Sequence, residues 1–600
     1  MRKGKIWILV SALLALTMIL AACNGGTTTK TTTIVTGSVS QPTGTTSIVP
    51  TSTTATQSTT VTTTAFDVNT TPVYGGTASF IGVPNSYLRF DPGELSFGAN
   101  PGGVLEYLYG ADWTKGPQGT NAFPFNQQTI PDAYIIGLLS ESIEVVDKYT
   151  LIHHLRHGIT YWGNNPKVPG YGREMVATDY IAASIRTQAM PRSTVYRATG
   201  EKDVSYVFAT AVAGDKYAVQ IRNQQPIVNI SSGAIAPLYP AESATTAGVD
   251  PADWRNAIGT GPFVITDYVQ DSSASYIANP NYWETDPLHP GFKRPYLDSY
   301  HLLFIVDPAT QMAALQTGKV IMYGFSKDRG EYLIKNNPEL KYTTRPENFN
   351  VVLFMRVDKA PYNNLQVRRA LAIAIDRKGM LAGLMGGKGN LLAWPLWDSV
   401  GNDIFTPMDQ LPADVQELYN YDPAKAKKML ADAGYPTGFP IELDSPQVED
   451  YINRATLVKA NWDAIGCTTT LNIIESGTFY NAMYGKTYPN TAIVAWGNSS
   501  QWSVLGWCWR STIIYNYGNV NDPKIDKAYI DALNETDVTK RNAIFKPIYV
   551  YGMQQSWEIA LPQPITYVFW QPYMHGYAGE YAGIADRIWI DPVLKKQLGR

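Results

Sequence analysis

The sequence predicts an α/β protein built from more than one domain. Two observations carry that prediction. Helix openings written as Asp-Pro recur between short β-rich runs across several hundred residues. The chain from about residue 73 onward is also too long for one ordinary domain.

Each element has its own signal. Asp307-Pro308 opens a helix, since aspartate caps and proline fits the first turn. Met312, Leu315 and a terminating Gly318 follow. Asp422-Pro423 opens another, with Ala426, Met429, Leu430 and Ala433 at i, i+3, i+4 and i+7 and Gly434 at its end. A third begins near Leu365, where Val367, Ala370, Leu371 and Ala374 form one stripe and Arg368-Arg369 begins outside it. Strands are expected over 77–83, 149–155, 263–269, 300–306 and 351–354. There is no internal repeat.

The N-terminus addresses the chain to the outside of the cell. Arg2, Lys3 and Lys5 precede an uncharged apolar run over 6–20, then Leu20-Ala21-Ala22-Cys23. This is a signal peptide over 1–22, too short to be read first as a membrane span. The cysteine after two small residues resembles the bacterial lipobox, which implies that Cys23 carries lipid. Residues 27–65 are almost all Thr, Ser, Val, Gly, Pro and Gln, with Lys30 the sole charge. Such a segment cannot bury enough apolar surface to order itself, so 23–72 is expected to be a flexible tether.

Composition excludes several classes. The chain is 44% hydrophobic with a formal net charge of −3, and no basic patch points to nucleic acid. No H-E-x-x-H, Gly-x-Ser-x-Gly or phosphate-binding loop is present, so no catalytic residue is assigned. His153, His154 and His157 invite a metal reading. Strand alternation sets His153 and His157 opposite His154, and no further ligand lies at zinc spacing, so neither metal nor cofactor is expected. Cys467 and Cys508 are either paired or two buried thiols.

The motifs then converge. Tyr74-Gly75-Gly76-Thr77, Gly82-Val83-Pro84, Phe90-Asp91-Pro92, Gly137-Leu138-Leu139 and Leu155-Arg156-His157-Gly158 come first. Gly259-Thr260-Gly261-Pro262-Phe263, Asn279-Pro280-Asn281-Tyr282-Trp283, Val367-Arg368-Arg369-Ala370 and Ala374-Ile375-Asp376-Arg377 follow, with Gly434-Tyr435 last. Their order resembles the bacterial extracytoplasmic solute-binding proteins of family 5, the oligopeptide, dipeptide and nickel type. The resemblance implies a two-lobed, periplasmic-binding-protein-like fold of the Venus-flytrap kind, large type, with an extra subdomain in lobe I. Lobe I is expected over 73–304 with 557–600 returning to it, and lobe II over 305–556. It also implies a monomer that captures peptides for an ABC permease and its ATPase.

The resemblance places the ligand at Gly82, Val83, Pro84 and Asn85, beside Tyr107 and Tyr109. From lobe II it implies Trp394, Trp397, Trp496, Gly497, Asn498, Ser499 and Trp502. Peptide-binding members hold the ligand's α-amino group with an aspartate where this chain has Ser499. That departure favours a ligand without a free amine, or another acid such as Asp91. Met355 stands where many members have asparagine. With 15 Trp and 38 Tyr, an oligosaccharide is the alternative ligand. A surface sensor or adhesin is the alternative of another class.

Overall fold

Strand parity explains most of the architecture. The computed structural model describes residues 70–82, 90–94, 103–126, 130–190, 207–224, 226–227, 236–347, 349–396, 404–497, 502, 504–581 and 585–600. The strand Phe349–Met355 is buried from Asn350 onward on both sides. It lies in a five-stranded sheet of order Thr468–Ile474, Pro440–Pro446, Thr491–Gly497, Phe349–Met355, Glu558–Ala560. Val351, Leu353 and Met355 meet Ile441, Leu443, Ile493 and Ile559 on one face, under the helices Leu365–Ile373, Pro423–Asp432 and Glu449–Ala464. Val352 and Phe354 take the other face, with Phe479, Ile525 and Phe545 of the helices Ser476–Tyr484, Pro523–Asn534 and Val538–Gln555. A sheet covered on both faces needs near-continuous apolar strands, and Val-Val-Leu-Phe-Met supplies one.

The other lobe is built in layers. Thr77–Gly82 runs parallel to Ser299–Phe304, in register from Thr77↔Ser299 to Gly82↔Phe304. Ser273–Ala278 and Phe263–Val269 complete that sheet. A second sheet joins Met322–Phe325, Gln563–Trp570 and Lys341–Pro346. Its middle strand divides by parity. Val568 and Trp570 pack with the first sheet. Tyr567 and Phe569 pack with Ala314, Leu315 and Leu333 of the helices Pro308–Gln316 and Lys327–Asn336. The extra subdomain is the sheet Ser140–Asp147, Thr150–Leu155, Asp215–Asn223, Val207–Val212, with the helix Ala177–Ala189 on one face.

Two antiparallel strand paths join the lobes. Lys341–Pro346 continues into Phe349–Met355, and Glu558–Ala560 continues into Gln563–Trp570. They pair on both sides of the crossing, as Pro346↔Ile565 and Val352↔Ala560. The backbone N–H of Glu347 donates to Pro564 O at 3.0 Å, and that of Leu561 to Val351 O at 3.0 Å. This corrects the expected boundaries at 304/305 and 557. Residues 305–346 pair with Gln563–Trp570 and share its core, so they belong to lobe I. Glu558–Ala560 pairs with Phe349–Met355 and belongs to lobe II. The deciding strand pairs are far apart in sequence and leave no local mark.

Helix ends follow the cap chemistry. Asp307 Oδ1 accepts from Thr310 N at 2.7 Å and Asp422 Oδ1 from Lys425 N at 2.8 Å. Asp376 caps the helix Arg377–Met385 through Gly379 N at 2.7 Å. Arg377 is buried, donating to Ala560 O at 2.8 Å and Leu418 O at 2.8 Å. It therefore ties the helix to the returning strand. Arg368 and Arg369 are buried as well, donating to carbonyls of Gln555 (2.9 Å), Tyr362 (2.8 Å) and Asp414 (2.7 Å). Gly259 and Gly261 let backbones touch: a Cβ at Gly259 would lie 2.0 Å from Val104 O and one at Gly261 1.9 Å from Gly103 O. Cys467 and Cys508 are separate buried thiols. Met355 is fully buried in the lobe II core.

Candidate ligand-binding site

The two strand paths end their lobe-specific pairing at one seam. Thr77–Gly82 ends at Gly82, paired with Phe304, and that residue has a packing reason to be glycine. A Cβ there would lie 2.8 Å from Phe304 Cε1. On the lobe II side, Thr491–Gly497 ends opposite the start of Phe349–Met355, with Asn350↔Trp496 and Phe349↔Gly497. Phe349 is 39% exposed there, whereas the rest of its strand is buried.

Trp496 forms the aromatic side of this seam. Its ring lies 6.2 Å from Phe354, 5.9 Å from Tyr515 and 5.7 Å from Tyr517. Tyr515 in turn stacks on Trp507 at 5.5 Å, and Trp507 is 37% exposed. The indole N–H of Trp496 is shielded from solvent and has no acceptor among the described residues. A buried donor left unmatched costs about 1–3 kcal/mol, so a ligand acceptor there would be rewarded. Trp394 joins the cluster from behind. Its ring is buried 6.5 Å from Phe354, and the Asn350 side chain donates to the carbonyl of its neighbour Ala393.

Other expected site residues have their own local partners. Trp502 packs on Phe545 at 4.8 Å and Tyr529 at 5.9 Å, inside the lobe II helices. Tyr109 belongs to the extra subdomain: its hydroxyl is 3.0 Å from His153 Nε2, and its ring meets that imidazole edge-on. Tyr107 is half-buried, and burial pushes its hydroxyl pKa up to about 12. His153 is fully buried, which lowers its pKa to about 4. His157 lies past the end of Thr150–Leu155 and stacks on Tyr217 at 3.9 Å, so strand alternation does not orient it. Val83, Pro84, Asn85, Trp397, Asn498 and Ser499 lie outside the described residues, as do Cys23 and residues 1–69.

Asp91 is not a free acid. Both its carboxylate oxygens are held by the Arg186 guanidinium, the second at 2.5 Å, and Gly93 N–H donates to Oδ1 at 2.9 Å. A bidentate pair of this kind is a structural clasp. Sequence reasoning found the strand at 351–354 but missed the seam residues just before it. Arg345, Glu347, Phe349 and Asn350 stand at the seam, and only the polar residues flanking the apolar run Val-Val-Leu-Phe hinted at it.

Residues 133–513 match the profile "Bacterial extracellular solute-binding proteins, family 5 Middle". Heme-binding protein A of Haemophilus influenzae is 28% identical over 360 residues, covering 56% of this chain and 60% of that protein. The dipeptide-binding protein of Escherichia coli is 26% identical over 369 residues, covering 58% and 64%. These alignments therefore span less than two thirds of either curated relative. Among solved structures, the periplasmic binding protein DppA of Helicobacter pylori, in complex with the peptide STSA, superposes with TM-score 0.71 at 18% identity. That match covers 86% of this chain and 98% of the other. The oligopeptide-binding protein AppA of Bacillus subtilis, in complex with a nonapeptide, gives 0.66 at 19% identity, over 87% and 100%. These likenesses show the two-lobed α/β fold. Among the described residues no helix is long and apolar enough to cross a membrane. With the profile covering well over half of its length, the chain belongs to family 5 of the bacterial extracellular solute-binding proteins.

Proposed function

We propose that this protein is the lipid-anchored substrate-binding component of an ABC importer, and that it captures peptides between its lobes for delivery to a permease. The observation that carries the reading is the seam. Two separately cored lobes meet through two strand paths, and there an exposed Phe349 and an unmatched Trp496 N–H stand at the end of lobe II's sheet. Few-strand crossings of this kind act as hinges, and closing them over a ligand removes apolar surface from water. An extended ligand can add beside a strand end such as Gly82, its backbone supplying donors and acceptors. The family, and relatives named for dipeptides and solved with peptides, support that ligand class. Cys23 would carry the anchor, and 23–72 would let the lobes reach the permease.

A thermal-shift screen of the purified protein against pooled peptides tests the reading. A ligand that binds only the folded state adds about 2.7 kcal/mol at a hundredfold excess over Kd, so a clear upward shift is expected. No shift with peptides, but one with oligosaccharides or a porphyrin, would replace it. The Trp496–Tyr515–Trp507 ring cluster favours that second, flat-faced ligand. For the anchor, Cys23→Ser is expected to leave the membrane fraction, and full retention would refute lipidation.

A further inference from the structure

We propose that Glu347, on the strand link between the lobes, is the acceptor for a cationic amine on the bound ligand, the role that Ser499 cannot fill. This deepens the peptide reading above and rests on it. The backbone of Glu347 is fixed from both sides. Its N–H donates to Pro564 O at 3.0 Å, and its carbonyl accepts from Gln563 Nε2 at 2.7 Å. Its Oε2 accepts from the Thr566 hydroxyl, which aims the half-buried carboxylate. Among the described residues Oε1 has no hydrogen bond, and no lysine or arginine pairs with Glu347.

Glu347 differs from the carboxylates that an arginine clasps. Asp91 is clasped by Arg186, Asp179 by Arg173, Glu284 and Asp586 by Arg294, and Asp358 by Arg356. Glu347 has Arg345 two residues before it on the same strand face. That guanidinium instead donates to the carbonyls of Gly579 (3.3 Å) and Glu580 (3.1 Å) and lies 4.9 Å from the Tyr581 ring. A half-buried carboxylate that keeps an open oxygen is an acceptor waiting for a donor.

Its surroundings come from both lobes. Burial, with a contribution from the Glu347 charge, raises the pKa of Tyr451 on the lobe II helix Glu449–Ala464. Tyr581 of lobe I is likewise raised by burial, with the Arg345 charge opposing and the Glu347 charge adding. The Glu347 charge is therefore felt by one tyrosine of each lobe. Two residues further along the same chain, Phe349 pairs with Gly497, next to the unmatched Trp496 N–H. One spare acceptor and one spare donor on the same stretch of seam suit a ligand that carries an ammonium and a carbonyl, as a peptide terminus does. The amine could equally be a lysine side chain.

Calorimetric titration separates these cases. The probes are a lysine-free peptide pool, the same pool N-acetylated, and an acetylated pool containing lysine. The wild type is expected to bind one amine-bearing pool at least tenfold more tightly than the lysine-free acetylated pool. The free-terminus and lysine arms tell the two sources apart. Glu347→Gln is expected to abolish that preference, and Thr566→Ala to reduce it. Equal wild-type affinity for all three pools overturns the inference and leaves peptide capture standing. So does a Glu347→Gln variant that keeps the preference. If Glu347→Gln does not fold, an undiminished preference in Thr566→Ala overturns it. A wild type that binds none of the pools overturns the peptide reading itself, and the inference with it.

Discussion

Trp496 and Trp509 stand on neighbouring stretches of lobe II, yet their indoles meet opposite ends. Trp509 is 1% exposed, its Nε1 donates to Glu558 Oε2 at 3.0 Å, and its ring packs on Trp557 and Tyr549. A Cβ on Gly552 would lie 2.1 Å from Trp509 Cη2, so the facing helix is shaped around the ring. Trp496 sits at a strand end, shares its cluster with the exposed Trp507, and has a donor without an acceptor among the described residues. The lesson is that ring count says little about binding. A ring whose polar atom is matched belongs to the scaffold, and one with an unmatched donor at a seam is where a ligand acceptor would be rewarded.

The sharpest way to break this contrast is Trp509→Ala. It is expected to destabilise the fold by about 3–5 kcal/mol and to strand the Glu558 carboxyl, as chemical denaturation would show. Next comes Glu558 itself. Burial, opposed by the indoles of Trp509 and Trp394, pushes its pKa up to about 7 from 4.5. The folded chain therefore holds a proton that the unfolded chain releases between those values, and stability falls as pH rises through that window. The fall is up to about 3 kcal/mol. Glu558→Gln is expected to flatten that slope in unfolding curves taken from pH 4.5 to 7.5, and an unchanged slope would count against it. Trp496→Ala is expected to weaken ligand binding at least tenfold, about 1.4 kcal/mol, while costing less stability than Trp509→Ala. Equal losses of stability would erase the distinction. At the far end, Val145→Lys on the exposed edge strand Ser140–Asp147 should stay within about 0.5 kcal/mol of the parent.

Local chemistry was legible in the sequence and long-range pairing was not. The helices at Asp307-Pro308 and Asp422-Pro423 start where their caps place them. The strand Phe263–Val269 has the expected ends, and Thr150–Leu155 differs by one residue. Those signals lie within a turn of the residues they govern. The lobe boundary failed because Lys341–Pro346 is assigned by its pairing with Gln563–Trp570, which no nearby residue announces. The burial of Arg368 and Arg369, set outside the apolar stripe of their helix, was hidden for a similar reason. A charged side chain reads as surface until the carbonyls that accept from it are known. Asp91 read as available because Arg186 is remote in sequence. For Trp394 and Trp502, expected at the site by resemblance, the packing partners become visible only once helices and strands are assembled.

The central claim is that a ligand is captured where the strand paths cross between the lobes. Amide hydrogen exchange with and without the peptide pool tests it most directly. The account predicts added protection in Thr77–Gly82, at 345–352 and at 495–497, with little change in Ser140–Asp147. Protection confined to the extra subdomain, or binding that leaves the crossing strands unprotected, would contradict it.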